Sequence, residues 1–488
     1  MATYTATAEA PNSIAKVLHS FVPSSRSPSP PSTSSELRAL QYYQLEVSKL
    51  LGGVVDPSFW TRSVLQLSES EPAIKHALMA ISTEWEYKLR PRSSDGHDLQ
   101  QKSISAYAKA LNLTTQRLGE PEPDTVALAT CVLFLCLHCL QRDKIQAVKF
   151  LQTGSGVMLR VLQRTTVISH DPESVTSMFL PIFERLVVLL RLFGVRMPGF
   201  RTPERVLYDV SGSFCRLETL EEARSVLYWM VAESHELISQ NRPYRLGLIF
   251  EQKDLQDYLQ KQEQHLVTYS SWLQEFDKLC TIRTDRTAAA NASIALLRVV
   301  HAITVFWLST CLDRYEALCD SYNQYFETII RNAEEVVAYN HSLPHGSLPF
   351  TFEMGIIPPM YLVVLKCREP TLRYQALSLL SRAPEREGLW RREEALRVAS
   401  RVADLESKDF EVLADGTIFQ NARVCDVQIN FSNELGSHVA FTAKLYGSDQ
   451  TWKVWDEIIP LEKGLNEDEP EPFGYPSEYL GQEDIQCG

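Results

Sequence analysis

Residues Thr125–Leu140 form a segment that is apolar on nearly every side of a helix and carries no Asp, Glu, Lys or Arg. A helix without a polar face has to be surrounded by other elements. The most hydrophobic part, Val126–Leu140, is shorter than the ~20 residues a membrane-spanning helix needs. A central core helix is therefore the expected role. Asp143–Leu162 follows after a very short turn, which predicts an antiparallel partner. Gly154 and Gly156 lie inside this second helix. Each costs about 1 kcal/mol of helix stability, so a close approach of a neighbouring helix is expected at both.

The surrounding chain repeats this theme. Glu36–Leu51 reads as a first helix closed by Gly52 and Gly53, and Asp56-Pro57 and Glu71-Pro72 each read as a cap followed by a helix-starting proline. Ile74, Leu78, Ile81, Trp85 and Leu89 recur at helical spacing, as do Ile104, Ala108, Leu111 and Leu118, so each set predicts a core-facing stripe. Further helices are expected over 172–192, 217–240, 252–279, 286–332 (with a break), 358–366, 370–380 and 391–406. Ile294–Leu312 is about long enough to span a bilayer, but Arg298 and His301 argue against that.

Two segments then change period. Cys425, Val427, Ile429 and Phe431 alternate with polar residues, as do Val439, Phe441, Ala443 and Leu445. With Asn433 and Gly436 between them, they predict a β-hairpin docked on the helices. The expected fold is mainly α: a large multi-helix array of antiparallel pairs with a small C-terminal β-hairpin. The expected divisions are a Pro/Ser-rich linker over 1–36, a helical body over 37–411, a hairpin extension over 412–460 and an acidic tail over 461–488. Ser27 and Ser29 precede prolines in the linker, which serves either as a phosphorylation target or as an inert tether.

Composition narrows the functional classes. The chain has 488 residues and a net charge of −13, which argues against broad binding to a polyanion. Its ten cysteines sit mostly in apolar runs, as expected of reduced core thiols. Cys136 and Cys139 have C-x-x-C spacing, but no second pair lies at a matching distance, so core thiols are expected there too, and His138 beside them is read the same way. His301 is expected as a hydrogen-bonded core histidine, with a sensing or acid–base role as the alternative. Thr153-Gly154-Ser155-Gly156 lacks the features of a phosphate loop. No nucleophile, metalloprotease or kinase motif is present, so no catalytic, cofactor-binding or metal-ligating residue is assigned.

Several ordered elements carry a family resemblance. They are Tyr42 and Tyr43; Pro57, Ser58, Phe59 and Trp60; Ser70 to Ala77; Val132 to Phe134, followed by Ala147, Phe150, Leu151 and Gly154; and Gly355-Ile356-Ile357-Pro358-Pro359. Together they resemble the regulatory region of fungal zinc-cluster transcription factors over roughly residues 40–410. The resemblance implies a nuclear transcriptional regulator, acting through protein partners such as coregulators, a DNA-binding paralogue or a homo- or heterodimer. It further implies control of a metabolic or secondary-metabolite gene set. The family's zinc module holds two zinc ions with six cysteines, whereas this chain has no cysteine before Cys131. Either the module was lost, or the frame as given starts downstream of it. Direct DNA binding and bound zinc are accordingly not expected of this chain. A non-nuclear helical scaffold, or an enzyme with a site between helices, are the alternatives.

Two segments are candidates for partner contact. Leu255, Leu259, Gln262, Leu266, Tyr269, Leu273 and Phe276 form a short heptad seam, either for dimerisation or for antiparallel packing inside the bundle. The acidic tail carries Phe473, Tyr475, Tyr479 and Leu480 and is read either as an activation segment or as a solubilising end. Purified chain is predicted to carry no stoichiometric zinc and to give no sequence-specific mobility shift with duplex DNA at physiological salt. Two zinc ions per chain by elemental analysis, or a specific shift, would refute this.

Overall fold

A computed structural model describes residues 34–54, 58–90, 95–118, 124–165, 173–192, 206–245, 252–285, 287–313, 316–343, 350–408, 424–430, 438–446 and 452–461. The linker serines, the Asp56-Pro57 cap, the hairpin turn with Asn433 and Gly436, and the aromatic residues of the acidic tail lie outside these residues.

The chain is mainly α-helical. Helix α1 (Ser34–Tyr42) runs through a π-helical turn into α2 (Ser48–Leu51), and α3 (Val64–Ser70) leads into α4 (Pro72–Leu89). There follow α5 (Gly96–Leu118), α6 (Asp124–Leu140), α7 (Lys144–Thr165), α8 (Glu173–Leu192), α9 (Leu220–Arg245) and α10 (Gln252–Ile282). The helical series is completed by α11 (Ala288–Thr310), α12 (Asn323–Ser342), α13 (Ile357–Lys366), α14 (Pro370–Arg382) and α15 (Arg392–Lys408). The break expected within 286–332 lies between α11 and α12, at a 3-10 turn over Ala317–Tyr322 that follows Glu316 in the left-handed region.

Helix α6 is buried continuously from Val126 to Leu140 and packs against α4, α7 and α8. Helix α7 returns beside it after the expected short turn, with Arg142 at φ 67° reversing the chain. Helix α11 is long and apolar enough to cross a membrane, but 67% of its most apolar window is buried inside the helical body.

The sequence pattern is corrected at two helix faces. Of the α4 stripe, Ile74, Leu78, Ile81 and Trp85 are buried, but so is almost every other residue from Ala73 to Tyr87, including Glu84 and Glu86. In α5 the expected core stripe faces outward: Ile104 is 45% exposed, Leu111 42% and Leu118 49%. Its buried face is made instead of Leu99, Ser103, Ala106, Ala110 and Thr114. These are mostly small residues that pack α5 close against α4, and the Ser103 hydroxyl donates to the Ala80 carbonyl at 3.1 Å. Close approach of two helix backbones selects small side chains and displaces the leucines.

Two small sheets complete the fold. The C-terminal hairpin is present as β4 (Val424–Asn430) and β5 (His438–Tyr446), and a third antiparallel strand, β6 (Trp452–Pro460), extends it to a three-stranded sheet. The segment read as a turn before α15 is a second minimal sheet. There β1 (Phe350–Thr351) pairs parallel with β2 (Arg386–Glu387), which pairs antiparallel with β3 (Trp390–Arg391).

The two glycines of α7 differ. A methyl group at Gly154 would lie 2.7 Å from the Phe183 ring and 3.0 Å from Cys131 Cβ, whereas one at Gly156 meets no atom within 4 Å. Close helix approach accounts for Gly154 only. Gly156→Ala is predicted to stabilise the protein by about 0.5–1 kcal/mol, and Gly154→Ala to destabilise it by about 1–3 kcal/mol, in chemical denaturation. Equal effects of the two would contradict the packing at Gly154.

Candidate functional site

Several charged groups of the interior, among the described residues, are held in structural hydrogen bonds. Glu387, 1% exposed, receives the backbone N–H groups of Gly355 (3.0 Å), Ile356 (3.0 Å) and Ile357 (2.8 Å). It thereby caps α13, whose first turn is made by Pro358 and Pro359 and whose own N-cap residue, Ile356, has no polar side chain. Any side chain at position 355 would collide with it, since a Cβ there would sit 2.5 Å from Glu387 Oε1. Burial pushes the Glu387 carboxyl up to about 7, against the pull of the three N–H donors. Nearby, Arg185 of α8 grips Glu353 through two 2.8 Å hydrogen bonds, with both side chains nearly inaccessible.

A second network surrounds Glu316. Its carboxylate accepts from Lys366, from Arg245 (3.4 Å) and from Arg368 (3.4 Å). Glu406 accepts from Arg368 (3.0 Å), from Arg373 and from the Val424 backbone N–H (3.0 Å). Lys366 also donates to the Cys425 carbonyl at 3.0 Å, so the network fastens β4 to the helices. Each carboxylate here is held by two or more donors, which suits a fixed joint rather than a proton-transfer group.

Two histidines and several thiols are also taken up by the core. His301 Nε2 lies 3.0 Å from the Tyr269 carbonyl oxygen and its ring stacks on Trp272; burial pushes its pKa down to about 4. His138 stacks on Phe150 and lies 3.1 Å from the Tyr107 hydroxyl. Cys131 and Cys139 are buried, with thiols pushed up to about 12 by desolvation. Among the described residues no group of three or more His, Cys, Asp or Glu is placed to hold a metal ion.

The heptad residues divide along α10. Tyr269 and Phe276 are buried, and the neighbouring Trp272 donates its indole N–H to the Ala223 carbonyl of α9 at 3.1 Å. Gln262 donates to the Leu308 carbonyl of α11 at 2.7 Å, while Leu255, Leu266 and Leu273 are half-buried and Leu259 is 40% exposed. The C-terminal part of the seam therefore packs between α9 and α11. The exposed side of the helix carries Val267, 56% exposed, beside a turn whose Tyr208 hydroxyl donates to Thr268 at 3.3 Å and whose Val210 stands fully in solvent.

One opening combines volume, apolar walls and charge. A cleft of about 430 Å³ lies between α5, α6 and α7. Leu111 and Leu118 form one rim, Phe134 and Phe150 part of the lining, and Asp124, Arg160 and Arg164 supply its charge. Arg164 pairs with Asp124 at 3.0 Å. Sequence reasoning missed this cleft, because it took the α5 leucines for core. Their outward position, together with two arginines four residues apart on α7, is the signal that marks it.

Comparison with known proteins finds a family likeness over part of the chain. Residues 38–201 match the fungal specific transcription factor domain. An 84-residue stretch is 32% identical to the Aspercryptin biosynthesis cluster-specific transcription regulator atnN of Emericella nidulans, covering 17% of this chain and 13% of that protein. The chain thus spans a small part of that relative's length. No solved structure matches.

The Glu387 cap lies beyond the matched residues and has a distinct pH signature. A carboxyl raised from its ordinary range contributes stability that is complete below about pH 4.5 and lost as pH rises through about 7. Glu387→Gln does not titrate. The stability of the wild type relative to Glu387→Gln is therefore predicted to fall by on the order of 2 kcal/mol between pH 5 and pH 8. A difference that stays constant or grows with pH in denaturant titrations would show the carboxylate to be ionised throughout.

Proposed function

We propose that this chain is a transcriptional regulator of the fungal zinc-cluster type that acts through contacts with other proteins. The match of residues 38–201 to the fungal specific transcription factor domain carries this reading. That family consists of transcription factors, which supports a non-enzymatic, nuclear role. The likeness to a regulator of a biosynthetic cluster extends the proposal to a metabolic or secondary-metabolite gene set.

Protein partners, coregulators or a DNA-binding paralogue among them, would meet the helical body on its outer surface. The outward face of α10 favours such a contact, because Leu259, Val267 and the adjoining Val210 offer apolar area to solvent. The buried part of the same helix supports it by fixing that face through Tyr269, Trp272 and Phe276.

The reading is tested by fusing the full chain to an unrelated DNA-binding domain in a fungal cell. The fusion is predicted to change a reporter bearing that domain's site several-fold, upward or downward, and Val267→Glu combined with Val210→Asp to weaken the effect. A tagged chain is predicted to accumulate in the nucleus. A reporter unaffected from both a silent and a pre-activated promoter, with the tagged chain confined to the cytoplasm, would favour a helical scaffold instead.

A further inference from the structure

We propose that the cleft between α5, α6 and α7 binds an amphiphilic carboxylate: a flexible apolar chain ending in one carboxylate group. The proposal concerns binding alone and stands whether or not the chain regulates transcription.

The lining of the cleft is largely apolar. Leu111, Leu118, Ala127, Phe134, Phe150 and Val157 face a volume of about 430 Å³. This lies within the range of roughly 300–1,000 Å³ common for small-molecule sites. Four threonines also line it, but each hydroxyl donates within its own helix. Thr114 donates to Ala110 (2.8 Å), Thr115 to Leu111 (2.9 Å), Thr130 to Val126 (2.7 Å) and Thr153 to Lys149 (2.9 Å). With those protons committed, the walls suit a hydrocarbon better than a sugar or a nucleotide, whose many polar groups would be left unpaired.

The charge at the cleft is unevenly paired. Arg164 is held by Asp124 at 3.0 Å, whereas Arg160, one helical turn earlier on the same face of α7, makes no side-chain hydrogen bond or ion pair among the described residues. One free guanidinium beside an apolar cleft calls for one anionic group. The planar fork of arginine matches a carboxylate in a two-point contact. The outward stripe of α5 borders the same opening. Leu111 and Leu118 are large apolar side chains, 42% and 49% exposed, at the rim of the same cleft. A hydrocarbon chain laid along the cleft would cover them.

Sodium dodecanoate, kept below its micelle concentration, is the probe, and isothermal titration calorimetry on the full chain is the measurement. Dodecanoate is expected to bind one per chain, and dodecanol at least about tenfold more weakly, for want of the charge-assisted contact. Arg160→Ala, at an exposed position, is expected to lower dodecanoate affinity at least about tenfold and leave dodecanol unchanged. Arg160→Lys is expected to restore part of that loss. Thr115→Trp, also at an exposed position, is expected to obstruct the cleft and weaken both probes with the melting temperature unaltered. Absence of dodecanoate binding, unchanged affinity in Arg160→Ala, or unchanged affinity in Thr115→Trp would each overturn the proposal.

Discussion

A helix with no polar face leaves no side for water, and its dry end needs partners as much as its flanks do. Helix α6 imposes that condition on this chain. Its last turn is buried, and the Cys139 carbonyl there accepts from the Arg142 backbone N–H (3.3 Å) and from the Arg386 guanidinium (2.9 Å). Arg386 lies 247 residues away on β2. Burial lowers its pKa to about 10, which still leaves it charged at neutral pH. A buried carbonyl without a partner costs about 1–3 kcal/mol, so closing the end of α6 joins an early helix to a late strand.

The same logic recurs around that joint. Phe352 donates its backbone N–H to the Leu51 carbonyl, Lys144 pairs with Glu394 at 2.6 Å, and Arg185 pairs with Glu353. Each contact ties the segment matched to the fungal domain to residues beyond it. Breaking a buried pair from one side typically costs about 3–5 kcal/mol, because it strands the other charge. The matched segment 38–201 is therefore one part of a larger packing unit, with the late helices and the minimal sheet covering surfaces it cannot cover itself.

The legibility of the sequence follows from the range of the interactions involved. The prolines that open α4, α13 and α14 and the apolar run of α6 are local signals, and they appear where the sequence places them; the break expected somewhere within 286–332 falls after α11. The function of Gly355 is not local. It is set by a carboxylate 32 residues downstream, in a segment that reads as a turn. The third strand β6 is similarly obscured, since Asp456 and Glu457 interrupt its alternation and Glu457 is neutralised by Arg401 of α15 at 2.9 Å. Periodicity gives the faces of a helix, and the partner decides which face is covered. In α5 the partner is a helix lying close, so alanine and serine go inward and leucine goes out.

That inversion also explains why the cleft escapes a reading of the sequence. A leucine stripe at helical spacing is the usual mark of a core face, and nothing within α5 distinguishes one that borders an opening. The distinction arises only when α4 has claimed the small-residue side and α7 has brought its arginines alongside. Core packing and surface chemistry are then coupled: replacing Ala106 or Ala110 with a larger residue would push α5 off α4 and shift the Leu111 and Leu118 rim with it. The shape of the cleft is thus set on the far side of the helix that borders it, by residues that touch nothing inside it.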